Sequence, residues 1–190
     1  MRWTISNILT LLRVALIPVI VAVYLGGASG YLTAGVFLLA GLTDWADGFL
    51  ARQRNEESPF GAFLDPVADK LMVSAVLVLM AADPQMREHV LSPGLFTVIV
   101  AIIIGREITI SALREWMAEQ GKRDNVKVGM VGKIKTFCQM SCIFFLLVGA
   151  QQEWSYILGI FLIYIAAGLT LWSMVQYLIA SWSHLFASEE

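Results

Sequence analysis

Six apolar runs, each close to the length of a membrane-spanning helix, make up most of this chain. A helix needs about 20 predominantly apolar residues to cross the hydrocarbon core of a bilayer. The runs cover residues 8–26, 31–51, 60–82, 93–117, 131–150 and 154–182. Arg13 interrupts the first run and further runs follow it, which favours a first transmembrane helix over a cleaved signal peptide. We therefore expect an all-α integral membrane protein with six transmembrane helices, forming a single domain over residues 1–190.

The positively charged residues are unevenly distributed, and this predicts the orientation of the helices. Lys and Arg near the ends of spans are retained on the cytoplasmic side, whereas Asp and Glu contribute little to orientation. All but one of the 13 Lys and Arg residues fall at the same end of the six spans, the exception being Arg87. Both termini and the connections 52–60 and 118–130 are therefore predicted to face the cytoplasm.

Composition excludes several functions. Only 15% of the residues are charged, against about 25% in a soluble domain, and too little sequence lies between the spans for a separate catalytic domain. A net charge of -2 argues against a nucleic-acid-binding protein. Cys138 and Cys142 share a helix face and are interpreted as packing residues, since a metal site would need further ligands. Any chemistry must come from helix ends and short loops.

Four aspartates occur where membrane helices rarely carry charge. Asp44 and Asp47 lie one turn apart at the end of the second run, and Asp65 and Asp69 lie one turn apart at the start of the third. Because the connection is short, we expect these two helices to be antiparallel neighbours whose carboxylates converge. Buried charges need compensating cations, and oxygen ligands without Cys or His favour Mg²⁺ or Mn²⁺ over Zn²⁺. The cluster predicts a site for two divalent ions, a common arrangement in phosphoryl transfer.

Basic side chains at the same end could bind an anionic part of a substrate. Arg106 lies within an apolar run, and Lys133 and Lys135 open the fifth run. The alternative is that these residues only orient the protein in the membrane and form salt bridges, as Arg114 could with a neighbouring Glu.

A polar face is also predicted on the first helix, where Asn7, Thr10 and Arg13 recur every three residues. Such a face normally turns inward in a membrane. Two interpretations remain: contact with substrate beside the metal site, or N-capping by Asn7 with Arg13 extending to the membrane interface.

The aspartates belong to a longer pattern. Asp44-x-x-Asp47-Gly48-x-x-Ala51-Arg52 is followed, after eight residues, by Gly61-x-x-x-Asp65-x-x-x-Asp69. Fixed residues at fixed spacing over this length are highly specific, and they resemble, without a gap, the signature of the CDP-alcohol phosphotransferases. Residues 7–13, 60–70, 106–108 and 132–136 further resemble the branch of that family whose acceptor is sn-glycerol 3-phosphate. The resemblance covers nearly the whole chain.

This resemblance implies an activity and a set of site residues. A phosphatidyl group would pass from CDP-diacylglycerol to the hydroxyl of sn-glycerol 3-phosphate, giving phosphatidylglycerol phosphate and CMP. The implied roles are two Mg²⁺ or Mn²⁺ ions on Asp44, Asp47, Asp65 and Asp69; Asp69 as general base; and CDP contacts from Gly48, Ala51, Arg52 and Gly61. Because the implied acceptor carries a phosphate, we expect the basic residues to bind it, namely Arg106, Lys133 and Lys135. The expected substrate lining is Asn7, Thr10, Arg13 and Arg114. The resemblance also implies a homodimer in a bacterial inner (plasma) membrane, with the active site facing the cytoplasm.

Other classes of protein also carry acids in membrane helices. A cation-coupled transporter uses them, but it predicts internal repeats and acids spread through the membrane depth, whereas these acids are clustered. A structural membrane adaptor gives no reason to keep four buried acids. Within the family, inositol phosphate, serine or phosphatidylglycerol as acceptor would share the aspartate motif, so the motif by itself does not identify the acceptor.

Overall fold

The computed structural model describes residues 5–54, 59–119, 130–149 and 151–185. Within these ranges the chain forms helices joined by short turns. The helices are α1 (Ile5–Leu25), α2 (Gly30–Arg54), α3 (Pro59–Ala82), α4 (Pro84–His89), α5 (Pro93–Glu119), α6 (Met130–Gly149) and α7 (Glu153–Leu185). The prediction of an all-α fold is confirmed for the described residues.

The six long helices correspond to the six predicted apolar runs and differ from them by at most three residues at either end. In the described part of the chain, three segments are long and apolar enough to cross a membrane: Asn7–Leu25, Pro93–Glu119 and Glu153–Ile179. Gly30–Asp44 and Ile134–Gly149 are shorter apolar helical segments.

The turn after α1 explains why the glycine-rich segment breaks the helix. Gly27 has a φ of 68°, in the left-handed region that glycine adopts without steric cost. The Gly27 amide donates to the Tyr24 carbonyl at 3.1 Å and the Ala28 amide donates to the Val23 carbonyl at 3.2 Å. This pair of bonds is the Schellman motif, which satisfies carbonyl groups at the end of a helix.

The short helix α4 was not predicted, since the sequence analysis treated this segment only as a break between runs. Asp83 is its N-cap, and its carboxylate accepts a hydrogen bond from the Gln85 amide at 2.8 Å. Pro84 follows at the first helical position, where its missing amide hydrogen costs nothing. The hydroxyl of Tyr24 donates to the other oxygen of Asp83 at 2.6 Å, which ties α4 to the end of α1. The Asp-Pro pair in the sequence could have predicted the start of this helix.

Helix α1 organises the packing of the first three helices. It packs against both α2 and α3, whereas α2 and α3 make little direct contact with each other in the described part of the chain. Among the described residues, α1 joins α2 to α3. The side chains of residues 47–54 and all of residues 55–58, where the two helices are expected to meet, lie outside the described residues, so direct contact between α2 and α3 stays a prediction. The remaining contacts join α2 to α6, α3 to α5, and α5 to α7, and the most extensive pair is α6 with α7.

Successive long helices run in opposite directions, so two groups of helix termini form the two ends of the bundle. One end carries the starts of α1, α3 and α6 and the ends of α2, α5 and α7. Arg13, Lys70, Arg106, Arg114 and Lys135 all line cavities at this end. Arg87 lies on α4 at the other end. The predicted segregation of positive charge is thus present among the described residues.

The tight contact between α6 and α7 gives a prediction about stability. A Cβ atom added to Gly159 would lie 2.7 Å from Cγ of Leu146 and 3.0 Å from the Leu146 backbone nitrogen. Small residues permit such close approach of helices in membranes. We expect Gly159→Ala to lower the free energy of unfolding by about 1–3 kcal/mol, the usual cost of overpacking.

The matched control is Gly168→Ala in the same helix, because a Cβ atom there meets nothing within 4 Å. Thermal unfolding of both purified variants in detergent measures the difference. Equal melting temperatures for the two variants would contradict the proposed packing of α6 against α7.

Candidate active site

The guanidinium of Arg13 is the centre of the acidic cluster. Arg13 lies in the middle of α1 and is only 1% exposed. Its Nη1 donates to Oδ1 of Asp69 at 3.0 Å and lies 3.8 Å from Oδ1 of Asp65. Its Nη2 lies 3.0 Å from Oδ1 of Asp44, a close ion pair without hydrogen-bond alignment. Acids from two helices therefore converge on one cation from a third.

The polar face of α1 turns inward, as predicted. Asn7 and Thr10 are buried like Arg13, and the Thr10 hydroxyl donates to Oδ1 of Asp65 at 2.5 Å. Asn7 lies inside α1, which begins at Ile5, so it is not the N-cap. Arg13 does not extend to the membrane interface, because its charge is buried among carboxylates. This geometry disfavours the alternative of capping and interfacial anchoring.

The carboxylates are not fully enclosed. The side chains of Asp44, Asp65 and Asp69 are 49%, 34% and 48% exposed. Asp44 and Asp69, together with Arg13, open onto a cavity of about 640 Å³, here called the carboxylate cavity. Gln139 of α6 also lines this cavity; it is 4% exposed, and its Oε1 accepts no hydrogen bond from any described residue.

Several predicted residues lie outside what the structure describes. Lys133 lies within α6, but its side chain is not described. The same holds for four residues of α2, namely Asp47, Gly48, Ala51 and Arg52. Gly61 is described and lies buried in the first turn of α3. Among the described residues alone, no group of three or more His, Cys, Asp or Glu side chains is arranged to hold a metal ion.

A second cavity adjoins the first and is lined by basic residues. It has a volume of about 500 Å³ and is here called the basic cavity. Its cationic side chains are Lys70, Arg106, Arg114 and Lys135, and its acidic ones are Glu107 and Glu115. Lys70, Glu107, Arg114, Lys135 and Thr136 line both cavities. An anionic group in the basic cavity would therefore lie next to the carboxylates.

Arg106 and Lys135 are buried within this arrangement, at 8% and 3% exposure. Arg106 Nη1 lies 3.3 Å from Oε1 of Glu107, and Lys135 Nζ contacts the same oxygen. Arg106 Nη2 donates to the hydroxyl of Ser173 at 2.8 Å, and its guanidinium lies 5.6 Å from the centre of the Tyr177 ring. The two predicted cations thus meet at one carboxylate.

The sequence analysis missed the contribution of α7. Ser173 and Tyr177 contact the guanidinium of Arg106, yet no role was predicted for them. Their spacing of four residues puts them on one helix face, and Thr170, three residues earlier, is also buried. This polar face in an otherwise apolar run could have indicated that α7 contributes to the site. It has the same form as the polar face of α1. Gln139, one turn after Lys135, was missed in the same way.

Comparisons with known proteins agree with the motif. The chain matches the CDP-alcohol phosphatidyltransferase family over residues 3–179. A protein of Salmonella choleraesuis (strain SC-B67), named CDP-diacylglycerol–glycerol-3-phosphate 3-phosphatidyltransferase, is 49% identical over 183 residues, covering 95% of this chain and 96% of that protein. Proteins of the same name from Escherichia coli (strain K12) and Shigella flexneri serotype 5b (strain 8401) are each 48% identical, with the same coverage.

The family match extends over nearly the whole chain, and relatives close to half identical align with 95% of it. The residues with which the family motif begins and ends, Asp44 and Asp69, meet at the buried Arg13. This chain belongs to the CDP-alcohol phosphatidyltransferase family.

Proposed function

We propose that this chain transfers the phosphatidyl group of CDP-diacylglycerol to sn-glycerol 3-phosphate, giving phosphatidylglycerol phosphate and CMP. The observation that carries the proposal is the direct junction of a carboxylate cavity with a basic cavity. Both substrates are anionic and one must present a hydroxyl group to the phosphorus of the other. The names of the relatives identify the same donor and acceptor for those proteins.

We propose the predicted membrane arrangement for the six long helices. All six would span a bacterial inner membrane, and both termini would face the cytoplasm, because the end that carries both cavities is also the positively charged end. The active site would then open where water-soluble sn-glycerol 3-phosphate is available. A single membrane domain over residues 1–190 and a homodimer complete the proposal.

The acidic cluster fits a divalent cation by its donor chemistry. Its ligands are carboxylate oxygens, as hard ions such as Mg²⁺ and Mn²⁺ prefer, and the three described carboxylates already face a cation, Arg13. We propose that Asp44, Asp47, Asp65 and Asp69 hold two such ions. When bound, the ions would polarise the pyrophosphate and stabilise the charge on departing CMP.

Arg13 and Thr10 would position the carboxylates. Arg13 fixes Asp69 through a charge-assisted hydrogen bond and holds Asp44 by charge, while Thr10 fixes Asp65. Asp69 would accept the proton of the acceptor hydroxyl as general base, which requires a distance of about 3 Å. Asn7, on the same buried face of α1, would line the substrate site.

The remaining residues would bind the two substrates. Gly48, Ala51, Arg52 and Gly61 are proposed to contact the CDP group, with Arg52 offering a planar fork of donors. Arg106, Lys133 and Lys135 are proposed to bind the phosphate of the acceptor, and Arg114 would line the same region. Three of these four basic residues, Arg106, Lys135 and Arg114, line the basic cavity, which supports the assignment.

Release of CMP from CDP-diacylglycerol by the purified chain tests the reaction and its acceptor together. We expect sn-glycerol 3-phosphate to support release in nanodiscs containing Mg²⁺, and inositol phosphate, serine and phosphatidylglycerol not to. Asp69→Asn should lower the rate by about 10²- to 10⁴-fold, the usual contribution of a general base.

Asp83→Asn is the matched control, because it removes an acid at the other end of the bundle and Asn is an equally good N-cap. It should keep the wild-type rate. Release driven by a different acceptor would refute the proposed substrate, and the absence of release with every acceptor would favour a transporter.

Removal of divalent ions tests the proposed metal site. EDTA should abolish CMP release, and excess Mg²⁺ or Mn²⁺ should restore it. Direct titration with Mn²⁺, followed by electron paramagnetic resonance, should give two bound ions per chain, and Asp44→Asn should weaken that binding. Full activity in EDTA, with no bound Mn²⁺, would show that the acids do not bind metal.

Substitution of Arg13 by Lys tests the positioning of the carboxylates. Lys keeps the positive charge but loses the fork that reaches Asp44 and Asp69 together. Loss of one charged hydrogen bond, worth about 1.5–3 kcal/mol, predicts a decrease in kcat of about 10- to 100-fold. Arg87→Lys, an exposed change on α4, is the control, and equal kcat values for the two variants would contradict this role.

A further inference from the structure

The carboxylate of Glu107 lies where the basic cavity meets the carboxylate cavity. Glu107 follows Arg106 on α5, and its side chain is 18% exposed. Its Oε1 contacts both Nη1 of Arg106 and Nζ of Lys135. These two cations come from different helices, α5 and α6, and Glu107 is the acid that the structure brings between them.

Burial explains why an anion is needed at this position. Arg106 and Lys135 are 8% and 3% exposed, and buried charges without partners destabilise a fold strongly. Two further cations, Lys70 and Arg114, line the same cavity, whose other acid is Glu115. Because cations outnumber acids, the lining retains a positive charge that a phosphate would complement.

A carboxylate and a phosphate monoester satisfy such cations in the same way. Each presents oxygens that accept charge-assisted hydrogen bonds from guanidinium and ammonium groups. Glu107 lines both cavities, and Asp69 lines the carboxylate cavity. A phosphate bound in place of the Glu107 carboxylate would therefore lie beside the cavity that Asp69 lines.

We propose that Glu107 is the resident counter-anion of the acceptor's phosphate subsite, holding Arg106 and Lys135 in place until the phosphate takes over those contacts. This inference rests on the proposed function and deepens it. Glu107 is a positioning residue that sets the affinity of the subsite, because the incoming phosphate competes with its carboxylate.

Contacts from helix α7 keep Arg106 in place when a phosphate replaces the Glu107 carboxylate. When Arg106 releases Glu107, Ser173 still accepts from Nη2 and the Tyr177 ring still lies beside the guanidinium. Arg106 is thereby kept in position for an incoming anion. Among the described residues of α7, none holds Lys135 in this way, so its ammonium group moves with the anion that it contacts.

The test compares Glu107→Gln with Glu119→Gln, which removes the same charge from an exposed position at the end of α5. Binding of sn-glycerol 3-phosphate is measured by calorimetry without CDP-diacylglycerol, so that no turnover occurs. Glu107→Gln should tighten binding by about tenfold, because a competing negative charge is removed from the subsite. Glu119→Gln should bind as the wild type does.

A second readout uses inorganic phosphate and stability. In chloride at matched ionic strength, Glu107→Gln should melt at a lower temperature than the wild type because two buried cations lose their partner. Added phosphate should raise the melting temperature of Glu107→Gln more than that of the wild type or of Glu119→Gln. A purely structural role for Glu107 predicts the loss of stability without this selective rescue.

Binding that is unchanged or weaker in Glu107→Gln, or equal phosphate-induced shifts in all three proteins, would overturn the proposal. If Glu107→Gln fails to fold in chloride and in phosphate, Glu107→Asp provides the same comparison. Because the shorter Asp side chain reaches the two cations less well, sn-glycerol 3-phosphate should again bind more tightly than to the wild type. Unchanged or weaker binding overturns the proposal.

The experiments distinguish failure of the proposed reaction from failure of the proposed role of Glu107. If the acceptor is another phosphorylated alcohol, phosphate still rescues Glu107→Gln, although sn-glycerol 3-phosphate does not drive CMP release. If the reaction is correct and Glu107 is only structural, CMP release proceeds and the selective rescue is absent.

Discussion

The ion pairs of Arg13 are the interaction on which the rest of the site depends. A guanidinium that is 1% exposed needs carboxylates around it, and the half-exposed carboxylates of Asp44 and Asp69 supply them. The buried guanidinium would be strongly destabilising without them. Because Arg13 lies on α1, this requirement fixes α1 against both α2 and α3 and brings acids from two separate helices to one point.

The second constraint is the separation of charge into two adjoining cavities. Acids and Arg13 surround one cavity, while Arg106 and Lys135 meet at Glu107 beside the other. Each group of charges is thus partly compensated internally before any substrate binds. Such internal compensation lets a bundle with few charges keep a site of high local charge, and it makes Arg13 and Glu107 counterparts, one holding acids and the other holding cations.

Much of this molecule could be predicted from the sequence. The apolar runs located the six long helices, because a run of that length has few alternatives to a helix once water is excluded. The four aspartates and the polar face of α1 were recognisable because charged groups within apolar runs are costly and therefore informative. The role of α4 was missed, since its six residues carry too little periodicity to stand out from a break.

The sequence by itself determined which residues carry charge, which runs are apolar, and that acids and bases lie at the same end of the helices. Only the tertiary structure decided which groups meet. Arg13 joins acids of α2 and α3, Glu107 joins Arg106 to Lys135, and Ser173 of the last helix supports Arg106. Helical periodicity gives the face on which a side chain lies, but the partner depends on which helices pack together, and that is set by close packing along their whole length.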